Sequence, residues 1–114
     1  MGSQEILVIS SHRDGTHVVV TLVGELDMNG AAPLGAEVQL ALSGPPIDAF
    51  EIDMSGLDFV DSAGIQAVLA AEETTRLAGV TFRVVHVTPV VRRVIQLAGV
   101  DHLLLPRAED ADSS

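Results

Sequence analysis

The chain passes from a predicted strand into a predicted helix through the segment Leu57-Asp58-Phe59-Val60-Asp61-Ser62-Ala63-Gly64-Ile65. Before it, residues 50–54 alternate apolar with acidic side chains, a period of two that is typical of a core strand. After it, a helix is expected to begin at Ser62 and run to about Ala78, because Gly79 can adopt the left-handed conformation that ends many helices. The segment is therefore the turn between a strand and a helix.

Further strands are predicted outward from this turn, where short apolar or β-branched runs are bounded by turn residues. They are residues 5–9, 16–23, 80–87 and 103–105. With the helices between them, the order is ββαβαβαβ, which implies right-handed crossovers between parallel strands. We therefore predict an α/β fold, a single domain over residues 1–105 with helices packed on a mixed sheet of about five strands. Residues 106–114 are polar and acidic, and are predicted to be a disordered tail.

The helix starts carry capping residues. Asp27 or Asn29 is expected to cap the first helix and Thr88 the third, since each side chain can accept a hydrogen bond from a free backbone N–H. In the middle helix, Glu72 and Arg76 are spaced for an ion pair four residues apart.

Composition excludes several classes of function. The 114 residues include 16 acidic and six basic groups, for a formal net charge of −10, which argues against nucleic acid or an anionic membrane as a partner. The absence of Cys excludes thiol catalysis, disulfides and thiolate metal sites. All six basic residues are Arg, so lysine Schiff-base chemistry and a phosphate-loop lysine are excluded as well.

No segment approaches the roughly 18 apolar residues of a membrane span. The first residues also lack the basic patch and apolar run of a secretory signal. We therefore expect a cytoplasmic protein.

Ser62 is the strongest candidate for a functional residue. We predict that it occupies the N-cap of its helix, where free N–H groups and the positive end of the helix dipole can hold a phosphate on its hydroxyl. Gly64 is interpreted as leaving the first turn bare, so that another protein can approach. The alternative is a serine that only caps the helix.

Acidic residues are expected near Ser62, on loops at the carboxyl ends of the strands, where open α/β sheets build their sites. They are Glu25, Asp27, Asp53, Asp58 and Asp61. Three of the aspartates fall within nine residues, which makes a divalent cation site conceivable. Their spacing matches no known metal loop and no His or Cys joins them, so we expect no metal and no cofactor. The alternative is a solvated acidic surface.

A hydrolase is a further alternative, with Ser62 activated by a histidine. The histidines available are His12, His17, His86 and His102. Ser62 does not lie in a Gly-x-Ser-x-Gly elbow, and we expect a protein that is not an enzyme.

Several segments, in the right order, resemble the STAS domain, and more closely the stand-alone bacterial anti-sigma factor antagonists. They are Gly24-Glu25-Leu26-Asp27, then Ile52-Asp53-Met54-Ser55-Gly56 leading through the turn quoted above, then Gly79-Val80-Thr81-Phe82-Arg83-Val84-Val85, and finally Thr88-Pro89 with Arg93 and Leu97-Ala98-Gly99-Val100. The resemblance covers residues 5 to 105 and implies a mixed sheet with helices on it.

The resemblance also implies partner switching. A dephosphorylated antagonist of this family binds an anti-sigma factor that is also a Ser/Thr kinase, and so releases a sigma factor. The kinase phosphorylates a hydroxyl in an Asp-Ser-(Ser/Thr)-Gly motif, and a serine phosphatase resets it. Carried over, Ser62 is the phosphoacceptor, and Ala63 removes the second hydroxyl of many members. The expected binding face consists of Asp27, Asp58, Asp61, Ala63 and Gly64.

The alternative function has the same fold but belongs to another functional class. It is a STAS accessory subunit of a transport or lipid-transport complex. A domain fused to an anion transporter would follow membrane spans, and the sequence shows none. A stand-alone lipid-transport subunit stays open.

Overall fold

The computed structural model of the chain describes residues 6–104, which contain four strands and three helices. In chain order they are β1 (Val8–Asp14), β2 (His17–Leu26), α1 (Ala31–Ser43), β3 (Ala49–Val60), α2 (Ser62–Leu77), β4 (Thr81–Val85) and α3 (Pro89–Leu97). Short 3₁₀ turns cover Met28–Gly30 and Asp101–Leu104.

The sheet is mixed, with strand order β1-β2-β3-β4. β1 and β2 are antiparallel, because a tight turn joins them and Gly15 adopts a positive φ of 64° there. β2, β3 and β4 are parallel, since a helix connects each to the next. The carboxyl ends of all three parallel strands therefore lie at the same end of the sheet.

The helices pack on one face of the sheet, where alternate strand residues are buried. In β2 and β3 the buried positions pair across the strands, Val18 with Phe50 and Val20 with Ile52. Leu34 and Val38 of α1 complete this core from the helix side. Full burial of each such side chain contributes about 1.5–3 kcal/mol. The predicted α/β class is confirmed.

The prediction of a fifth strand at residues 103–105 is wrong. Leu103 is buried, but it lies in the 3₁₀ turn Asp101–Leu104, in which its N–H donates to the Val100 carbonyl at 3.0 Å. A short apolar run does not distinguish a strand from a buried turn. The described sheet has four strands, and the order is ββαβαβα. The predicted tail at 106–114 lies outside the described residues.

Strand bounds also differ from the sequence prediction. β1 begins at Val8 and extends through residues that are mostly exposed, because it is an edge strand held by pairing with β2 rather than by burial. β3 continues to Val60 with two register irregularities against β2. One of them places the backbone so close that a Cβ on Gly56 would lie 2.7 Å from a methyl carbon of Val23. Such bulges bend a strand and turn its side chains.

The ion pair expected between Glu72 and Arg76 does not form. Arg76 instead donates to Glu73 at 2.7 Å, three residues away, and Glu72 lies 2.9 Å from Nε2 of His102. No helix within residues 6–104 is long and apolar enough to cross a membrane.

Candidate functional site

The parallel strands β2 and β3 bring two of the predicted site residues together. Leu26 and Val60, the last residues of the two strands, are register partners. Asp27 and Asp61 follow them directly, and the Asp61 N–H donates to the Leu26 carbonyl at 3.3 Å. We use the term acidic edge for this end of β2 and β3, with Asp27, Asp58 and Asp61.

Each of these two aspartates caps the helical turn that follows it. Oδ1 of Asp27 accepts from the Asn29 N–H at 2.9 Å, and Oδ1 of Asp61 accepts from the Gly64 N–H at 2.8 Å. The second oxygen of each carboxylate makes no hydrogen bond within the described residues. Both side chains are half-buried, so each can contact a partner while it holds its turn.

Ser62 is not the N-cap of α2, as the sequence suggested, but its first helical residue. Asp61 takes the cap position with an extended backbone, φ −113° and ψ −173°, because its carboxylate reaches the Gly64 N–H. The Ser62 side chain is exposed, and no hydrogen bond engages its hydroxyl within residues 6–104. A capping serine would have used that oxygen, and here Asp61 leaves it available.

The backbone at the start of α2, unlike the carboxylates of the acidic edge, favours an anion on the Ser62 hydroxyl oxygen. The first N–H groups of a helix have no acceptor inside the helix, and they lie at the positive end of its dipole. Asp61 occupies the Gly64 N–H, so the earlier N–H groups of Ser62 and Ala63 are the ones available to a phosphate. The start of α2 can therefore carry a phosphate without a metal.

Gly64 is needed for packing inside the domain. It is buried, and a Cβ there would collide with the Leu26 carbonyl and lie 2.8 Å from a methyl carbon of Val60. The missing side chain thus makes room for β2, which corrects the interpretation that it leaves space for a partner. Ala63 is half-buried beside it.

The other acidic residues are spread along the strands. Asp58 is exposed near the end of β3, at the acidic edge. Asp53 lies further back, where its Oδ2 is 3.1 Å from Nδ1 of His86 and its Oδ1 accepts from the Ser55 N–H at 2.9 Å. Burial alone would raise the pKa of Asp53, but hydrogen bonds from Ser55 and the neighbouring His86 outweigh it and lower that pKa below its usual value. Within residues 6–104, no three His, Asp or Glu side chains are grouped to hold a metal ion.

The histidines do not form a catalytic pair with Ser62. His17 lies 3.4 Å from Glu51, His86 is next to Asp53 and His102 is next to Glu72. Within the described residues, no hydrogen bond joins Ser62 to an imidazole, so the arrangement of a serine hydrolase is absent there.

Sequence reasoning missed two apolar residues at the acidic edge. Met28, next to Asp27, is 72% exposed, and Phe59, two residues before Asp61, is 40% exposed. The available signal was the adjacent pair Phe59 and Val60, because neighbouring strand residues point to opposite faces and only one can enter the core. Val60 is the buried member.

A cavity of about 250 Å³ also opens at this edge. Asp27 and Glu25 give it an acidic side, and Leu7 and Pro33 are among its apolar walls. The edge therefore offers a partner both carboxylates and apolar surface.

Comparison with known proteins finds similar sequences and similar folds. The family model described as "Mlab, STAS domain" matches residues 9–106. The anti-sigma F factor antagonist of Lysinibacillus sphaericus is 29% identical over 94 residues, which are 82% of this chain and 80% of that protein.

Three solved structures share the fold. An anti-sigma factor antagonist from Mycobacterium paratuberculosis superposes with a TM-score of 0.76 and 27% identity, over 99% of this chain and 97% of that one. The anti-sigma factor antagonist SpoIIAA in its unphosphorylated form gives 0.74 and 23%, over 91% and 92%. The murine anion transporter Slc26a9 gives 0.68 and 25%, over 80% of this chain and 15% of that one.

Proposed function

The chain belongs to the STAS domain family, and from that premise we propose that it is an anti-sigma factor antagonist switched by phosphorylation of Ser62. In its dephosphorylated form it binds an anti-sigma factor that is also a serine kinase, in the cytoplasm, and so frees a sigma factor. A serine phosphatase resets it. It acts by binding and catalyses no reaction itself.

The observation that carries the proposal is the unengaged hydroxyl of Ser62 at the first position of α2. The kinase transfers the γ-phosphoryl group of ATP to this oxygen, the hydroxyl proton is lost and ADP leaves. The names of the relatives support the antagonist class, since two of those reported above are anti-sigma factor antagonists at 29% and 27% identity.

Phosphorylation would switch binding off at the interface. The phosphate adds about −1.5 to −2 charges beside Asp61. The helix start tolerates an anion, with a gain of roughly 0.3–1 kcal/mol, so the fold survives. A partner that closes over Ser62 must instead bury that charge against a surface shaped for a small hydroxyl, and desolvation of such a charge costs several kcal/mol. The cost exceeds the local gain, and binding is lost without refolding.

The test is to incubate the protein with anti-sigma kinases and ATP, and to locate the phosphate by mass spectrometry. We expect phosphate on Ser62 and none on the Ser62→Ala variant, which should still bind the kinase. Ser62→Asp should bind poorly and keep a near-wild-type melting temperature. Full phosphorylation of Ser62→Ala at Thr16, Ser55 or Ser10 would contradict the assignment.

A second candidate is an accessory subunit of a transport or lipid-transport complex. The likeness to Slc26a9 at 25% identity and the name of the matching family model favour it. The proteins that co-purify with this chain distinguish an antagonist from an accessory subunit. An anti-sigma kinase in the complex supports the antagonist, and a transporter ATPase subunit supports the accessory role.

A further inference from the structure

Two exposed apolar side chains flank the carboxylates of the acidic edge. Met28 follows Asp27 in the 3₁₀ turn after β2, and Phe59 stands on β3 opposite Glu25 of β2. Because Leu26 and Val60 end the two strands side by side, both apolar residues lie at the same end of the sheet as Ser62.

Phe59 is exposed because the backbone of β3 is irregular there. Gly24 pairs with Leu57 but Glu25 pairs with Phe59, so Asp58 is an extra residue in β3. A bulge of this kind re-aims the side chains that follow it, and bulges are common beside functional sites. The other two phenylalanines, Phe50 and Phe82, stack on each other with centroids 6.4 Å apart at the core. Phe59 is therefore the one phenylalanine that this packing leaves on the surface.

The charge of the edge limits what can cover Met28 and Phe59. The carboxylates of Asp27, Asp58 and Asp61 would repel nucleic acid and anionic lipid, and a second copy of this chain would present the same three carboxylates. A protein surface with an apolar pocket and a basic rim matches both features. Interfaces commonly have this form, with aromatic and Met side chains at the centre and charges around them.

We propose that Met28 and Phe59 are apolar anchors that enter such a pocket on the anti-sigma factor, with basic residues of its rim on the three carboxylates. The inference rests on the proposed function and specifies the partner surface that contacts the same edge. The anchors determine how tightly the two proteins bind, and the carboxylates determine how fast they meet and how salt affects that rate.

The experiment measures affinity for the anti-sigma factor that phosphorylates Ser62, by titration calorimetry on unphosphorylated protein. Met28→Ala and Phe59→Ala should each weaken binding at least tenfold. Leu77→Ala and Leu40→Ala are matched controls, because these leucines are 72% and 66% exposed on α2 and α1, and both should stay within twofold. Circular dichroism confirms the fold of each variant, and the highly exposed Met28 keeps the test valid if Phe59→Ala is unstable.

Salt separates the two contributions. Phe59→Ala should keep the wild-type dependence of association rate on salt, whereas Asp58→Asn should flatten it. If the wild type binds and both Met28→Ala and Phe59→Ala keep its affinity, the two residues are not anchors, while the proposed function stands. Failure of the wild type to bind any anti-sigma kinase overturns the proposed function and this inference with it.

Discussion

α2 and α3 both start after a parallel strand at the same end of the sheet, and their first residues use opposite chemistry. α2 is capped by the carboxylate of Asp61, and Ser62 follows with an exposed hydroxyl. α3 is capped by the hydroxyl of Thr88, and Pro89 follows without an N–H. Both helices satisfy a free backbone donor, but only α2 leaves a hydroxyl unused.

The Thr88 hydroxyl is fully engaged. It accepts from the Val91 N–H at 3.4 Å and donates to the Leu57 carbonyl of β3 at 3.2 Å. It therefore ties α3 to the sheet, and phosphorylation would remove the proton that it donates to Leu57 and so break that contact. The comparison teaches that a hydroxyl near a helix start stays available for modification when another side chain does the capping.

The largest expected effect is that substitution at Ser62 abolishes phosphorylation but not stability, whereas substitution at Thr88 lowers stability but not phosphorylation. Ser62→Ala should take no phosphate from the kinase. Its free energy of unfolding should stay within about 0.5 kcal/mol of wild type, as is usual for surface substitutions. Thr88→Ala should be phosphorylated fully at Ser62 and lose about 0.5–2 kcal/mol of stability with its cap. Intact-mass spectrometry and urea unfolding measure the two effects. A strong loss of stability in Ser62→Ala would show that its hydroxyl is a cap after all.

The next effect concerns the glycine in the first turn of α2. Gly64→Ala should destabilise the domain by about 1–3 kcal/mol, because the added Cβ overpacks against β2. Gly35→Ala is the control, since it also lies in a helix but has nothing within 4 Å of the added Cβ. It should stabilise by up to about 1 kcal/mol through helix propensity. Equal stability of the two variants, measured by urea unfolding, would contradict the close contact between α2 and β2.

A smaller effect separates the cap at Asp61 from its charge. Asp61→Ala should cost about 0.5–2 kcal/mol, whereas Asp61→Asn should stay close to wild type because Asn caps as well as Asp. Thermal unfolding at neutral pH measures both. If the Asn variant loses as much as the Ala variant, the charge on the helix dipole, and not the hydrogen bond to Gly64, stabilises the start of α2.

These two helix starts also show how far the sequence could be read. The prediction of Thr88 as the cap of the third helix is correct, because a Thr-Pro pair before an apolar stripe permits few other arrangements. Asp61 and Ser62 are adjacent residues that can both cap, and the backbone angles of Asp61 together with its hydrogen bond from Gly64 distinguish them. The sequence located the turn, and the structure was needed to assign the role of each residue in it.

The α/β order could be predicted because helix and strand periods differ over long segments. The features that the sequence did not predict depend on three-dimensional contacts. The run at Leu103 forms a 3₁₀ turn in which its N–H donates to the Val100 carbonyl, and the extra residue at Asp58 became visible only in the register of β3 against β2. The exposure of Met28 in its turn and of Phe59 beside the extra residue depends on how neighbouring elements pack, and for Phe59 the sequence offered only the adjacent pair Phe59 and Val60 as a signal.

The smallest expected effect is a pH dependence at Asp53, which hydrogen-bonds Ser55 and His86 but neither helix cap and so should leave the comparison unchanged. Its pKa is lowered from the usual 3.8, because hydrogen bonds from Ser55 and His86 outweigh its burial. A carboxyl with a lowered pKa in the folded state stabilises the fold above its unfolded pKa, and this contribution is lost as pH falls through the folded pKa. The stability advantage of wild type over Asp53→Asn should therefore be constant above about pH 5 and shrink below about pH 4. In a His86→Ala background, where one hydrogen-bond donor to Asp53 is gone, the stability advantage of Asp53 over Asn should change less with pH. Urea unfolding between pH 3 and pH 7 measures it, and an advantage that grows on acidification would mean that burial, not hydrogen bonding, dominates at Asp53.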